Sequence, residues 1–262
     1  MDEAMKRPEL ERYLESFRSR IEPLERFIHA LANSLPNPLY YDSGKGHFGF
    51  RYGKPDFLHF CLLKGVRAVS GLNAAVELVR GGYTQEFYVL LRTIDEYKTH
   101  IDFILYARES DGRLTEEAKK YIRDYFSDYA RNSAEDYKRP RLPQAAIHKS
   151  IGARMAAGVE KTHRADEFKG VVPDKLLSNI YLNFSNYVHA RYPEVMDLYG
   201  GTPLRFHLRG MSETPKDAEN IEMLDSYITS ITLALKLAVQ KLDLMHVVGR
   251  DPALAEWYRE AA

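Results

Sequence analysis

An all-α fold is the class this sequence predicts: a helical bundle with a long C-terminal helix and one Gly/Pro-rich aromatic loop. Three observations predict it. First, Ile221, Leu224, Ile228, Ile231, Leu235, Ala238, Leu242 and Met245 recur in steps of three and four without a slip. A second stripe (Leu233, Leu237, Leu244, Val247) widens this face beyond a two-stranded seam, which suits a bundle helix that also offers a dimer contact. Second, the stretch from Lys64 to Arg108 reads as two helices folded against each other across Gly81-Gly82. Third, no succession of alternating segments marks a sheet. The expected organisation is one helical domain over residues 1–262: an N-terminal helix and loop (1–55), a bundle core (56–248) and a tail (249–262).

Pro8 suits the first turn of a helix reaching about Asn33, with Leu14, Phe17, Ile21, Leu24 and Ile28 at helical spacing. Pro23 lies inside that pattern and predicts a kink or short break. Prolines 36 and 38 and glycines 44, 46, 49 and 53 enforce an irregular loop. Its aromatics (Tyr40, Tyr41, Phe48, Phe50, Tyr52) are expected to pack on the body. Asp56 is the expected N-cap of a helix from Phe57 to Arg80, whose Gly65, Ala68, Gly71 and Ala75 let another helix approach. A central helix is expected from Thr84 to Ala107, then one from Leu114 to about Asn132. Asp174 starts a helix reaching about Arg191, RFHLRG is a short extended piece, and the long terminal helix precedes a short helical tail from Pro252.

Composition narrows function by exclusion. Lys plus Arg balances Asp plus Glu, 37 against 37, so no global field favours nucleic acid or membrane. The single cysteine, Cys61, allows no internal disulfide and no cysteine-rich zinc site, and favours a reducing, cytoplasmic setting. The first residues form no signal peptide, and no apolar run reaches the length of a membrane span. Cys61 itself lies on an apolar helix and reads as a packing residue.

The central helix carries the first candidate site. Phe87, Leu90, Ile94, Tyr97, Ile101 and Leu105 gather on one face, with Tyr88, Arg92, Glu96, Thr99 and Phe103 opposite. Only the strip with Asp95, Lys98 and Asp102 looks fully solvated. Arg92 and Glu96 therefore sit one turn apart among aromatic rings, where an unpaired charge costs several kcal/mol. One reading is an ion pair that locks the helix into its bundle. The other holds Arg92 ready for an anion, with Glu96 fixing its direction.

The second candidate element is YLNFSNYVHARYP, residues 181–193. Ser185 and His189 are one turn apart on one face, and a histidine there can exchange protons near neutrality. The alternative is a satisfied histidine at a helix end. Residues 137–159 contain no acid but hold Lys138, Arg139, Arg141, Lys149 and Arg154, either a solvated face or a phosphate-contacting edge. Glu96 and His100 could meet His189 around a metal, but the Glu-x-x-His spacing of di-iron bundles is missing, so neither metal nor cofactor is expected. No Gly-rich phosphate loop or nucleophile elbow is present.

LLRTIDEY (90–97) and FSNYVHARY (184–192) together resemble a set of uncharacterised bacterial helical proteins in which an Arg-x3-Glu helix precedes a Ser-x3-His helix. These are similar in turn to the HEPN superfamily of abortive-infection proteins, toxin components and metal-independent ribonucleases. The resemblance spans roughly Leu58 to Met245 on short, degenerate motifs. It implies a helical bundle, homodimerisation, a role in defence or stress, and RNA as a candidate partner. For active members it implies RNA cleavage, with Arg92 holding the scissile phosphate, His189 moving protons, and Glu96 and Ser185 in support. Active HEPN ribonucleases generally carry Arg-x4-6-His on one helix. His189 has no such arginine before it; the one match, Arg141 to His148, is interrupted by Pro143. The alternative is a non-catalytic interaction module in which the same residues form a polar network.

Overall fold

A long amphipathic helix opens the chain and lays its apolar face into the core. In the computed structural model, which describes residues 5–42, 48–109, 111–127, 142–159, 173–200 and 204–260, α1 runs Arg7–Asn33. It continues unbroken through Pro23, where the sequence predicts a kink or break. Residues on both sides of the proline (Leu14, Phe17, Leu24, Phe27) are buried in one core, and that burial outweighs the roughly 3 kcal/mol an internal proline costs.

The aromatic loop departs from expectation. Leu39–Asp42 (β1) pairs antiparallel with Phe48–Arg51 (β2), Tyr40 opposite Phe50. Leu39, Tyr40, Tyr41 and Phe50 are exposed rather than packed on the body. The cross-strand rings of Tyr40 and Phe50 cover each other instead, edge to face at 5.8 Å. Tyr52 does pack, edge-on against His59 at 4.4 Å.

Asp56 caps α2 (Phe57–Arg80) as its sequence predicts, its carboxylate accepting from the Leu58 and His59 amides. The small residues of α2 do bring neighbours close. A Cβ on Gly65 would lie 2.6 Å from Ile28 of α1, and one on Gly71 would lie 2.7 Å from Ile94. Gly82, at φ +68°, reverses the chain into α3 (Thr84–Tyr106), and its carbonyl accepts from the Met211 amide at 2.8 Å.

The rest encloses α3. Helices α4 (Glu116–Ser127), α5 (Gln144–Val159) and α6 (Pro173–Val188) come next, then a short α7 (Tyr192–Met196). Residues 128–132, the expected end of α4, lie outside the described residues. Tyr199–Gly200 (β3) and Arg205–Phe206 (β4) form a second small hairpin, so strands are present only as two ribbons among the described residues. Helix α8 (Lys216–Lys241) carries the predicted seam, with Ile221 through Ala238 buried. It stops short of Leu242, which is still buried; α9 (Met245–Val248) and α10 (Pro252–Arg259) close the chain against α1, Trp257 meeting Phe27 at 5.8 Å. One hydrophobic core draws on every described helix except α7, and α3 touches α2, α5, α6 and α8. None of the described helices is long and apolar enough to cross a membrane.

Candidate functional site

That enclosure decides the surroundings of the charges on α3. Arg92, Glu96 and His100 fall on one face at successive turns. Arg92 Nη1 donates to Glu96 Oε2 at 2.7 Å, and its Nε reaches Ser185 Oγ on α6 at 3.4 Å. The guanidinium carbon stands 3.5 Å from the centre of the Tyr181 ring. Only 13% of the Arg92 side chain is exposed, against 39% for Glu96. Three of the four residues singled out from sequence therefore meet, although 93 positions separate Arg92 from Ser185.

The fourth does not join them. Helix α6 ends at Val188, and His189 sits exposed in the turn beyond it, its amide bonded to the Ser185 carbonyl at 3.0 Å. Ala190 takes φ +46°, and the Arg191 amide returns to the Asn186 carbonyl at 3.1 Å, a left-handed cap that ends the helix. Among the described residues no hydrogen bond or ion pair links the His189 side chain to Arg92.

A different histidine lies beneath the arginine. On α5, buried His148 places Nδ1 3.2 Å from Ser178 Oγ and Nε2 3.1 Å from Gln144 Nε2, with its ring edge-on to Tyr181 at 5.7 Å. Burial first, and then the Arg92 charge, pull its pKa below the ordinary histidine value. His100 is buried too, its Nε2 3.9 Å from Glu96 Oε1 and its Nδ1 without a hydrogen-bond partner among the described residues. Burial, then Lys64, push it down to about 4, so it is neutral at pH 7. Sequence reasoning missed this second half of the network. The signal was present in the spacing: Gln144 and His148 lie one turn apart, and Ser178, Tyr181 and Ser185 share one face of α6. Pro143 does precede the helix, as α5 starts at Gln144.

Of the basic segment, Lys138, Arg139 and Arg141 lie outside the described residues. Lys149 is exposed, whereas Arg154 donates to the Tyr106 carbonyl at the end of α3, at 2.9 Å. The strip of α3 expected in solvent is instead covered. Asp95 and Asp102 are each 8% exposed, because α6 and α8 pack over that side, and Lys98 bonds Asp102 at 2.6 Å. Cys61 is buried, and burial together with Asp56 pushes its thiol up to about 12, which removes it as a nucleophile. Among the described residues no group of three His, Cys, Asp or Glu side chains is placed to hold a metal ion.

A cavity of about 460 Å³ opens between α3, α6 and α8, but its lining includes none of Arg92, Glu96, Ser185 and His189. No protein-family model, curated protein or solved structure matches the chain.

Proposed function

We propose that this protein is a non-catalytic helical interaction module, in which Arg92, Glu96, Ser185 and the neighbouring histidines form a polar network that fixes how α3, α5 and α6 meet. The observation that carries this reading is the occupation of Arg92. Glu96 and Ser185 engage two of its five N–H donors, Tyr181 covers its face, and with 13% of the side chain exposed little of it remains open to a phosphate. A group that binds an anion needs accessible donors, and one paired with a carboxylate and covered by a ring serves the fold. The exposed apolar side chains of the β1–β2 hairpin are the contact surface on this reading, with a second copy of the chain as the partner.

A second reading, HEPN-like metal-independent RNA cleavage in defence or stress, is favoured by one observation. Arg92 and Ser185 meet across two helices, and the exposed imidazole of His189 lies one turn beyond Ser185. Arg92 would then hold the phosphate, with Glu96 orienting it.

One experiment separates the two. Purified protein is incubated with RNA in EDTA, wild type beside Arg92→Ala and His189→Ala, and all three are melted thermally. The interaction reading expects no cleavage, a lowered melting temperature for Arg92→Ala and little change for His189→Ala. Cleavage abolished in both variants, with folding intact, would replace it with the nuclease reading. Sedimentation with Tyr40→Ser and Phe50→Ser tests the hairpin: a dimer that dissociates in both variants supports it, and an unchanged mass removes the hairpin from the interface.

A further inference from the structure

We propose that the cavity between α3, α6 and α8 binds an organic cation, with Asp95 as its counter-charge and Tyr88, Phe184, Tyr187 and Tyr227 as an aromatic wall. This rests on a different part of α3 from the Arg92 network and does not depend on the function proposed above.

The argument starts from a carboxyl group that the fold leaves without an ion-pair partner. Asp95 is 8% exposed and lines the cavity, yet among the described residues it forms no ion pair. The cations nearest to it are committed elsewhere: Arg92 to Glu96 at 2.7 Å, and Lys98 to Asp102 at 2.6 Å. From α8, Tyr227 contributes a hydroxyl beside Asp95 that is buried and, among the described residues, has no hydrogen-bond partner of good geometry. A buried hydroxyl in this condition is uncommon, because it forgoes water without a replacement. A ligand carrying positive charge supplies the counter-charge that Asp95 lacks.

The wall fits the same chemistry. Tyr88 stacks on Tyr187 at 4.4 Å and on Phe184 at 5.9 Å, and Phe184 meets Tyr227 edge to face at 5.8 Å. Aromatic faces carry partial negative charge and attract an ammonium or guanidinium held above them. The more distant field has the same sign. Asp197 accepts from the Tyr187 hydroxyl at 3.3 Å, and Glu194 and Glu219 stand near the Tyr187 and Tyr88 ends of the wall, with Lys216 paired to Asp197 and Glu219. Burial, then this field, raises the Tyr88 hydroxyl to about 12, so the rings remain neutral. The volume, about 460 Å³, falls in the range of small-molecule sites. An apolar or anionic ligand would leave Asp95 uncompensated. The class is therefore an amine or quaternary ammonium on a small apolar body.

The test is a titration followed by ligand-observed NMR. The probes are choline and benzyltrimethylammonium, each beside an uncharged comparator: for choline the alcohol in which carbon replaces the nitrogen, for the second benzyl alcohol. Wild-type protein is compared with Asp95→Asn and with Asn183→Trp, which places a ring over the cavity from an exposed position on α6. At least one cation is expected to bind about 10-fold more tightly than its comparator, a difference of about 1.4 kcal/mol. Asp95→Asn should erase that preference, and Asn183→Trp should weaken binding of the cation about 10-fold or more. Absence of binding by both cations overturns the proposal. So does equal binding of cation and comparator, which would make the cavity merely apolar, or binding that survives both substitutions, which would place the cation elsewhere. Should Asp95→Asn fail to fold, the wild-type preference and the Asn183→Trp result decide.

Discussion

Replacing Asp95 with asparagine should stabilise the protein, and the gain should depend on pH in one direction only. The carboxyl lies 8% exposed under α8, and burial, the leading cause, raises its pKa from 3.8 to about 6. Lys98 and Arg92 on α3 act against that rise, as does the neighbouring Tyr227 hydroxyl on α8, while Asp102 adds to it. An acid whose pKa is higher folded than unfolded retains its proton in the native state when the unfolded chain has released it. Stability therefore falls as pH rises through the window from about 4 to about 6, and the penalty is complete above it. A shift of about 2 units corresponds to about 3 kcal/mol at pH 8. Asparagine resembles the protonated acid in shape, so Asp95→Asn should recover up to about 3 kcal/mol at pH 8 and almost nothing at pH 4. For a chain of this size that is a rise in melting temperature of about 6–12 °C. The assay is a set of thermal melts of both proteins from pH 4 to pH 8, read as the difference between them. His100 and His148 titrate in both proteins and cancel. A variant that melts lower than wild type at pH 8, or that gains equally at pH 4 and pH 8, would refute the reasoning. Either result would mean that the carboxylate has a satisfying partner in the folded protein.

The remaining predictions concern the packing of α3 and α6. Arg92→Ala should cost about 2–3 kcal/mol in urea denaturation, because it removes a stacked cation and leaves Glu96 without its partner. Arg92→Lys should recover less than half of that, since an ammonium cannot both lie flat on Tyr181 and reach two acceptors; full recovery would contradict the stacking argument. Gly71→Ala should destabilise by about 1–2 kcal/mol despite the better helix propensity of alanine, as its Cβ would lie 2.7 Å from Ile94. Combined with Ile94→Val, the loss should be smaller than the sum of the two, as judged by a double-mutant cycle. Ala190→Gly should stabilise by about 0.5–1 kcal/mol, because it relieves the left-handed cap of α6; no change in the urea midpoint would count against strain at φ +46°.

Periodicity alone carried most of the architecture. The stripe from Ile221 to Ala238, the Asp56 cap and the Gly81-Gly82 reversal each depend on residues close in sequence, and each is found as read. The same local reading could not tell how many neighbours a helix would have. Asp95 and Asp102 looked solvated because their own turns of α3 are polar, yet α6 and α8, about 70 residues or more away in sequence, cover them. The aromatic hairpin failed in the opposite sense: rings suggested burial, but four-residue strands let Tyr40 and Phe50 shelter each other in the open.

For the site, sequence by itself determined which side chains share a helical face: Arg92 with Glu96, and Ser185 one turn before His189. Only the tertiary structure decided what those faces meet. The way α3, α5 and α6 pack sets Ser185 and Tyr181 on Arg92 and slides His148 beneath it. The cap at Ala190 ends α6 and leaves His189 in solvent. The reason is physical. Helical spacing is set by hydrogen bonds between residues four apart, so it is written locally. Which helices become neighbours is set by burial summed over the whole chain, and no short stretch contains that sum.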